Sequence, residues 1–236
     1  MLLTAYELLL SDPLYYISMI APLQRKTGRV LVANDDGILL HDIKSGAYFL
    51  SASSQKAGLQ MMELMPEAEL IMAFQEFMIE PLQSKFGLNH LHTCRQAVYF
   101  HKQPTLGEES LAIRQLQAQD YGFLWEHYHD LVDADYLHRR LSEGMIYGGF
   151  LEETCVGFIG EHEEGSIGIL EILPDYRRCG YGTELTKFMI NLFLSQNRIP
   201  FSQIEPDNEA SMRLHSSLGF TIDTRCVYWL FNENIK

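Results

Sequence analysis

The sequence predicts an α+β protein: a mixed, mostly antiparallel central sheet with helices on both faces, preceded by a smaller α/β half. Three observations predict this. Short apolar, β-rich runs meet at Asp-Gly and Ser-Gly turns, where glycine takes positive φ without strain. After several hairpin-joined strands comes a helical crossover, since residues 182–196 carry Leu185, Phe188, Met189, Leu192 and Phe193 at helical spacing. Residues 103–109 have linker composition and divide the chain into units of 1–105 and 111–236.

The first residues read as a short helix, then a second helix begun by Ser11-Asp12-Pro13, with a capping residue and a first-turn proline. Strands are expected at 30–33, 38–41 and 47–50, turning at Asn34-Asp35-Asp36-Gly37 and Lys44-Ser45-Gly46. A Met/Leu-rich helix (55–64), a strand (70–74), a helix (75–86) and a strand (97–101) complete this half. Met61, Met62, Met65, Met72 and Met78 read as core filler. The second unit reads as a strand (111–116), a helix opened by Asp120, and another from about 133 to 141. Strands at 145–151, 155–161 and 166–173 follow. After the long helix come a strand (201–205), a helix (208–218) ended by Gly219, and a strand pair around 221–231.

Composition narrows the function. The chain has 236 residues, 47% apolar, with a net charge of −13, so it is long and apolar enough to bury a real core. The charge is uneven: residues 1–105 carry 8 basic and 10 acidic side chains, residues 106–236 carry 10 and 21. A general nucleic-acid binder needs a basic face and is disfavoured, whereas an acidic surface draws in a cationic amine. Cys94, Cys155, Cys179 and Cys226 form no Cys-x-x-Cys pair, and His90, His92 and His101 have no carboxylate or cysteine at ligand spacing, so neither a metal site nor a disulfide framework is expected. The apolar start lacks a basic n-region and is broken by Glu7, Asp12 and Pro13, and no run reaches the ~18 apolar residues of a membrane span. No membrane partner and a cytoplasmic location are expected.

The chemistry lies in Ile169-Leu-Glu-Ile-Leu-Pro-Asp-Tyr-Arg-Arg-Cys-Gly-Tyr-Gly-Thr183. A strand stops at Pro174, a short turn delivers Arg177, Arg178, Gly180 and Gly182, and a helix begins at once. Glycines at such a turn let backbone N–H groups converge. With the positive end of the helix dipole and two arginines, they suit a diphosphate. A P-loop would need a lysine after its second glycine, and a Rossmann fingerprint a third glycine where Leu185 stands, so both are excluded.

What remains is Arg-x-x-Gly-x-Gly (Arg177, Gly180, Gly182). Together with Leu170-x-Ile172-x-Pro174-x-Tyr176-Arg177, Pro200-Phe201, Asn208-Glu-Ala-Ser211 and Leu218-Gly219-Phe220, it resembles the GNAT superfamily of acyl-CoA-dependent N-acyltransferases over roughly residues 111–236. The resemblance implies that the amides of Arg178, Cys179, Gly180, Tyr181, Gly182 and Thr183 hold the coenzyme A diphosphate, with the Arg177 and Arg178 side chains nearby. It implies that the strand edge at Ile172 and Leu173 pairs with the pantetheine amides, and that Asn208 and Ser211 hydrogen-bond coenzyme A at the start of the next helix. An N-terminal half without its own loop resembles the layout of the glycine-N-acyltransferase-like branch, where a degenerate copy precedes the working one.

Acyl transfer to an amine needs a base, a polarised thioester carbonyl and a proton for the departing thiolate. Glu171 is the candidate base, because a carboxylate inside an otherwise apolar strand is costly unless it meets water, a partner or a substrate. The competing reading is a structural glutamate paired with an arginine. Some members of the superfamily place the base eight residues before the proline; here that position is Ser166, which leaves His162, Glu163 and Glu164 as substitutes. Where many members have a tyrosine acid, this chain has His215, which also reads as an exposed helical histidine. The implied function is transfer from acetyl-CoA, directly within a ternary complex, to a small-molecule amine, by a monomer or homodimer. A non-catalytic acyl-CoA sensor and a protein N-acetyltransferase are the alternatives.

Overall fold

The computed structural model describes residues 2–107, 110–128 and 134–232. Helices α1 (Leu2–Leu10) and α2 (Ile17–Arg25) lead into the meander β1 (Gly28–Asn34), β2 (Gly37–Asp42) and β3 (Tyr48–Ala52). Helix α3 (Gln55–Met62) crosses over to β4 (Leu70–Ala73), parallel to β3, and α4 (Ile79–Phe86) leads to β5 (His90–Val98). The same plan recurs. From β6 (Ala112–Gln115) the chain passes through α5 (Tyr121–His127) and α6 (Ala134–Ser142) into the meander β7 (Ile146–Leu151), β8 (Thr154–Glu161) and β9 (Ile167–Ile172). Helix α7 (Tyr181–Ser195) crosses to β10 (Phe201–Ile204), parallel to β9, and α8 (Glu209–Ser217) leads to β11 (Thr221–Phe231).

The eleven strands of the described residues join one sheet, in the order β1-β2-β3-β4-β11-β5-β10-β9-β8-β7-β6. The last strand of each half therefore pairs with the other half: β11 lies between β4 and β5, and β5 lies between β11 and β10. Helices α1 and α2 cover one face of the first half around Phe49, Met72 and Trp229, and α3 and α4 the other around Leu50, Met61 and Met78. In the second half, α5 and α6 cover Phe158 and Ile169, while α7 and α8 cover Val156, Ile167 and Ile204. All five clustered methionines are buried in these cores. Among the described residues no helix is long and apolar enough to cross a membrane.

Several elements differ from the sequence-based expectation. The second helix begins at Ile17, not at Ser11-Asp12-Pro13. There the chain turns so that Tyr15 and Tyr16 pack on Phe74, and Asp12 is drawn into an ion pair with Arg225 at 2.7 Å. The strand expected at 97–101 runs instead over His90–Val98. It is held as a strand by β11 from His90 onward and by β10 from Arg95 onward, and Gln96 donates to Ser18 at 2.8 Å. The expected terminal strand pair is one eleven-residue strand, bulged between Ile222 and Cys226, where Asp223 accepts from the Arg225 backbone and side chain. The expected start of a helix at residue 133, and Glu108 and Glu109 of the linker, lie outside the described residues.

One contact ties the halves together at the base of β9. Arg25, at the end of α2, donates to the carbonyls of Glu163 (2.8 Å) and Glu164 (2.6 Å) in the β8–β9 turn, and to Asp42 at 3.2 Å.

Candidate active site

The site begins with strands that part. β9 and β10 pair at one register only, Ile167 with Ser202, whereas the equivalent β3 and β4 stay zipped through Tyr48–Ile71, Phe49–Met72 and Leu50–Ala73. The cause is local. Between the pairs Gly160–Gly168 and Phe158–Glu171 the register shifts, and Ile169 takes φ 52°, which a β-branched residue rarely adopts. This bulge turns β9 away from β10. Beyond it, Leu173 N–H donates to Val156 at 2.9 Å, so the alternating pattern directs the N–H and C=O of Ile172 away from β8, toward the gap.

At the end of β9, Pro174 opens a single 3-10 turn, and Arg178 (φ 64°) and Gly180 (φ 89°) both take the left-handed region. Two left-handed residues so close together fold the backbone into a concave nest of N–H groups. Helix α7 follows with Gly180 as its N-cap and no side chain capping it, so the first-turn amides of Tyr181, Gly182 and Thr183 stay open for an anion. A cleft of about 480 Å³ lies over this turn, lined by Ile172, Tyr176, Arg177, Arg178, Gly180, Tyr181, Gly182 and Thr183, and across from them by Ala210, Arg213, Leu214 and Ser217. The donor set of nest amides, uncapped helix start and arginines fits a diphosphate.

Of the residues expected to bind the cofactor, Ile172, Arg177, Arg178, Gly180, Tyr181, Gly182 and Thr183 line this cleft; Leu173, Cys179, Asn208 and Ser211 do not. Cys179 is exposed beside it. Asn208 caps α8, its side chain accepting from Ser211 N–H at 3.0 Å. The face of α8 was missed: 210, 213, 214 and 217 follow helical spacing, and that period was the available signal.

Glu171 lies opposite Phe158, on the sheet face that α5 and α6 cover. It is not sealed in: its side chain is 27% exposed, and its Oε1 accepts from Arg177 Nη2 at 2.8 Å. The arginine partner of the competing reading is thus present. Ser166 is buried and hydrogen-bonded to Glu164, Glu163 pairs with Arg139 at 3.1 Å, and His162 Nδ1 meets the Tyr136 hydroxyl at 2.6 Å. Each of these substitutes already has a partner of its own. Burial pushes the Tyr136 phenol well above its ordinary range, and the nearby Glu164 adds to this.

His215 is buried on α8, not exposed as one reading had it. Its ring contacts Ser202 and Ser211, and burial lowers its proton affinity, partly offset by the Ser211 carbonyl. It is neutral near pH 7. Among the described residues no group of His, Cys, Asp and Glu could hold a metal ion.

Residues 110–220 match the model of the acetyltransferase (GNAT) family. The whole chain is similar in fold to a Drosophila protein (TM-score 0.68, 13% identity, 94% of this chain and 91% of that one). It is also similar to a structure from Novosphingobium aromaticivorans described as a GNAT-family acetyltransferase (TM-score 0.56, 13% identity, 90% and 93%). A third is a GCN5-related N-acetyltransferase-like protein from Streptococcus suis (TM-score 0.54, 15% identity, 96% and 99%). At these identities the likeness is one of fold, and it runs through both halves. No curated protein matches the chain.

Proposed function

We propose that this protein is an acyl-CoA-dependent N-acyltransferase that uses acetyl-CoA and acts on a small-molecule amine by direct transfer in a ternary complex. The observation that carries the reading is the convergence of three features on one cleft: the Arg178–Gly180 nest, the uncapped start of α7, and Arg177, Arg178 and Arg213. The linked phosphates sit on the amides of residues 178–183. The pantetheine arm runs into the gap between β9 and β10 and pairs with Ile172 as an added strand would. Leu173, Cys179, Asn208 and Ser211 flank that path.

Glu171 is the proposed base. It faces the α5–α6 side of β9, so acceptor and acyl carrier reach the thioester from opposite faces of one strand. Its carboxylate takes the proton of the incoming ammonium, and a neutral amine attacks. His215 serves the departing thiolate. The acidic second half favours a cationic acceptor. The repeated plan, with a first half that is zipped and has no arginine-glycine turn, supports residues 1–105 as a degenerate copy, residues 111–236 as the working domain, and a likeness to the glycine-N-acyltransferase-like branch. Free cysteines throughout fit a cytoplasmic protein.

The test is release of the coenzyme A thiol from acetyl-CoA with a panel of small amines and peptides. Turnover of a small amine supports the proposal, and turnover of peptides alone favours a protein acetyltransferase. Tight acetyl-CoA binding without any turnover makes the protein a sensor.

A further inference from the structure

Ser202 and His215 form a buried hydroxyl–imidazole pair that packing alone does not require. Ser202 is 2% exposed and His215 is 5% exposed, in the neighbourhood of Ala97, Ile190, Ile204 and Phe220, where apolar side chains would carry no desolvation cost. The hydrogen bonds fix the tautomer. Nδ1 of His215 lies 2.9 Å from the Ser211 carbonyl oxygen, which can only accept, so Nδ1 carries the hydrogen. Nε2 is left with a lone pair 2.9 Å from Ser202 Oγ, and the serine hydroxyl donates to it. Ser202 also occupies a special position on β10: it is the residue at which β9 and β10 last touch, the closed end of the gap into which the acyl carrier would run.

Resting on the acyl-CoA reading of that gap, we infer that Ser202 and His215 are a proton relay between the attacking amine and the departing thiolate. As the C–N bond forms, the surplus proton on nitrogen passes to Ser202 Oγ while the serine proton moves to Nε2 of His215. As the C–S bond breaks, its electron pair leaves on sulfur. The imidazolium then returns its proton to Oγ, and the serine proton goes to sulfur. Every proton lost by nitrogen arrives at sulfur, and no other reactant is consumed. Ser202 is the catalytic residue, touching the reacting atoms. His215 is a positioning residue that stores the proton and acts only through the serine. A buried imidazolium gives its proton back readily, which suits a store that must empty in each turnover.

The first test needs no acceptor: 15N NMR of the full chain labelled at histidine, titrated with coenzyme A and with desulfo-coenzyme A. The His215 Nε2 resonance is expected to move at least threefold more with coenzyme A, and Ser202→Ala to abolish that difference while both ligands still bind. Equal shifts with the two ligands, or a sulfur-dependent shift that survives in Ser202→Ala, would overturn the relay. Absence of binding by either ligand would instead overturn the acyl-CoA reading itself. With an amine that is turned over, Ser202→Ala should lower kcat about 100-fold with KM for acetyl-CoA unchanged, and Ser202→Thr should restore most of it. His215→Asn keeps an N–H for the Ser211 carbonyl but deletes Nε2, and should cost as much as Ser202→Ala, with no further loss in the double variant. A kcat within threefold of the parent in either folded single variant contradicts the relay.

Discussion

Arg177 holds Glu171: its Nη2 donates to the carboxylate at 2.8 Å while its Nε donates to the Ile172 carbonyl at 2.9 Å. One guanidinium thus engages both the proposed base and the strand carbonyl offered to the pantetheine arm. On the proposed reading the arm competes for that carbonyl, and Arg177, more than half exposed, is free to swing toward the phosphates. Donor binding and release of the base are then one event.

Glu171→Gln should therefore leave acetyl-CoA affinity within about threefold while lowering kcat by about 100-fold, the usual worth of a positioned base. Arg177→Ala should instead weaken acetyl-CoA binding. Steady-state kinetics beside calorimetry separates the two; an unchanged kcat in Glu171→Gln removes it from the mechanism.

The cleft has two walls, and both should matter. Gly180 sits at φ 89°, and a Cβ there meets no atom within 4 Å, so Gly180→Ala adds backbone strain of about 1–2 kcal/mol without filling the site. Gly180→Asp adds a negative charge facing the phosphates and should abolish acetyl-CoA binding where alanine only weakens it. Arg213 stands exposed on the opposite wall, and Arg213→Ala should weaken binding most at low ionic strength. Equal affinities for Gly180→Asp and Gly180→Ala would place the phosphates elsewhere.

Burial of His215 also has a thermodynamic signature. Its proton affinity is lower folded than unfolded, where it titrates near its ordinary 6.5, so below that pH the unfolded chain takes up the proton first. The stability His215 contributes is present above pH 6.5 and is lost as pH falls toward its folded value. Urea midpoints at pH 7.5 and 5.5 should fall more steeply for the parent than for His215→Gln. Parallel pH dependence would show that the ring is not buried neutral.

Arg25 reaches across the halves, and its removal leaves the fully buried Asp42 carboxylate without its guanidinium partner and the β8–β9 turn without its clamp. Arg25→Met should destabilise the protein by about 3 kcal/mol, and adding Asp42→Asn should recover part of that. Denaturant unfolding of the four chains of this cycle measures it; strictly additive losses would contradict the pairing.

Much of this was legible in the sequence because it is local. Asp-Gly and Ser-Gly turns, the period of the long helix and the Arg-x-x-Gly-x-Gly turn depend on neighbours along the chain. The strand exchange was not legible. β5 reads as His-Leu-His-Thr-Cys-Arg-Gln, without apolar alternation, and is a strand because β11 pairs with it from His90 onward and β10 joins from Arg95 onward. The same applies to the site. The phosphate turn is contiguous in sequence, whereas the Ile169 bulge and the pairing of Ser202 with His215 are set by strands and helices far apart in the chain. For Glu171 the sequence showed a carboxylate that needs water, a partner or a substrate, but which of these it meets depends on the turn after β9, which brings Arg177 back beside it.

The most direct measurement is a crystal structure of the protein with coenzyme A bound. The account predicts one molecule per chain, its diphosphate on the backbone amides between Arg178 and Thr183 and its thiol at the closed end of the β9–β10 gap. A carrier bound anywhere else, or one whose phosphates leave those amides unpaired, would contradict it.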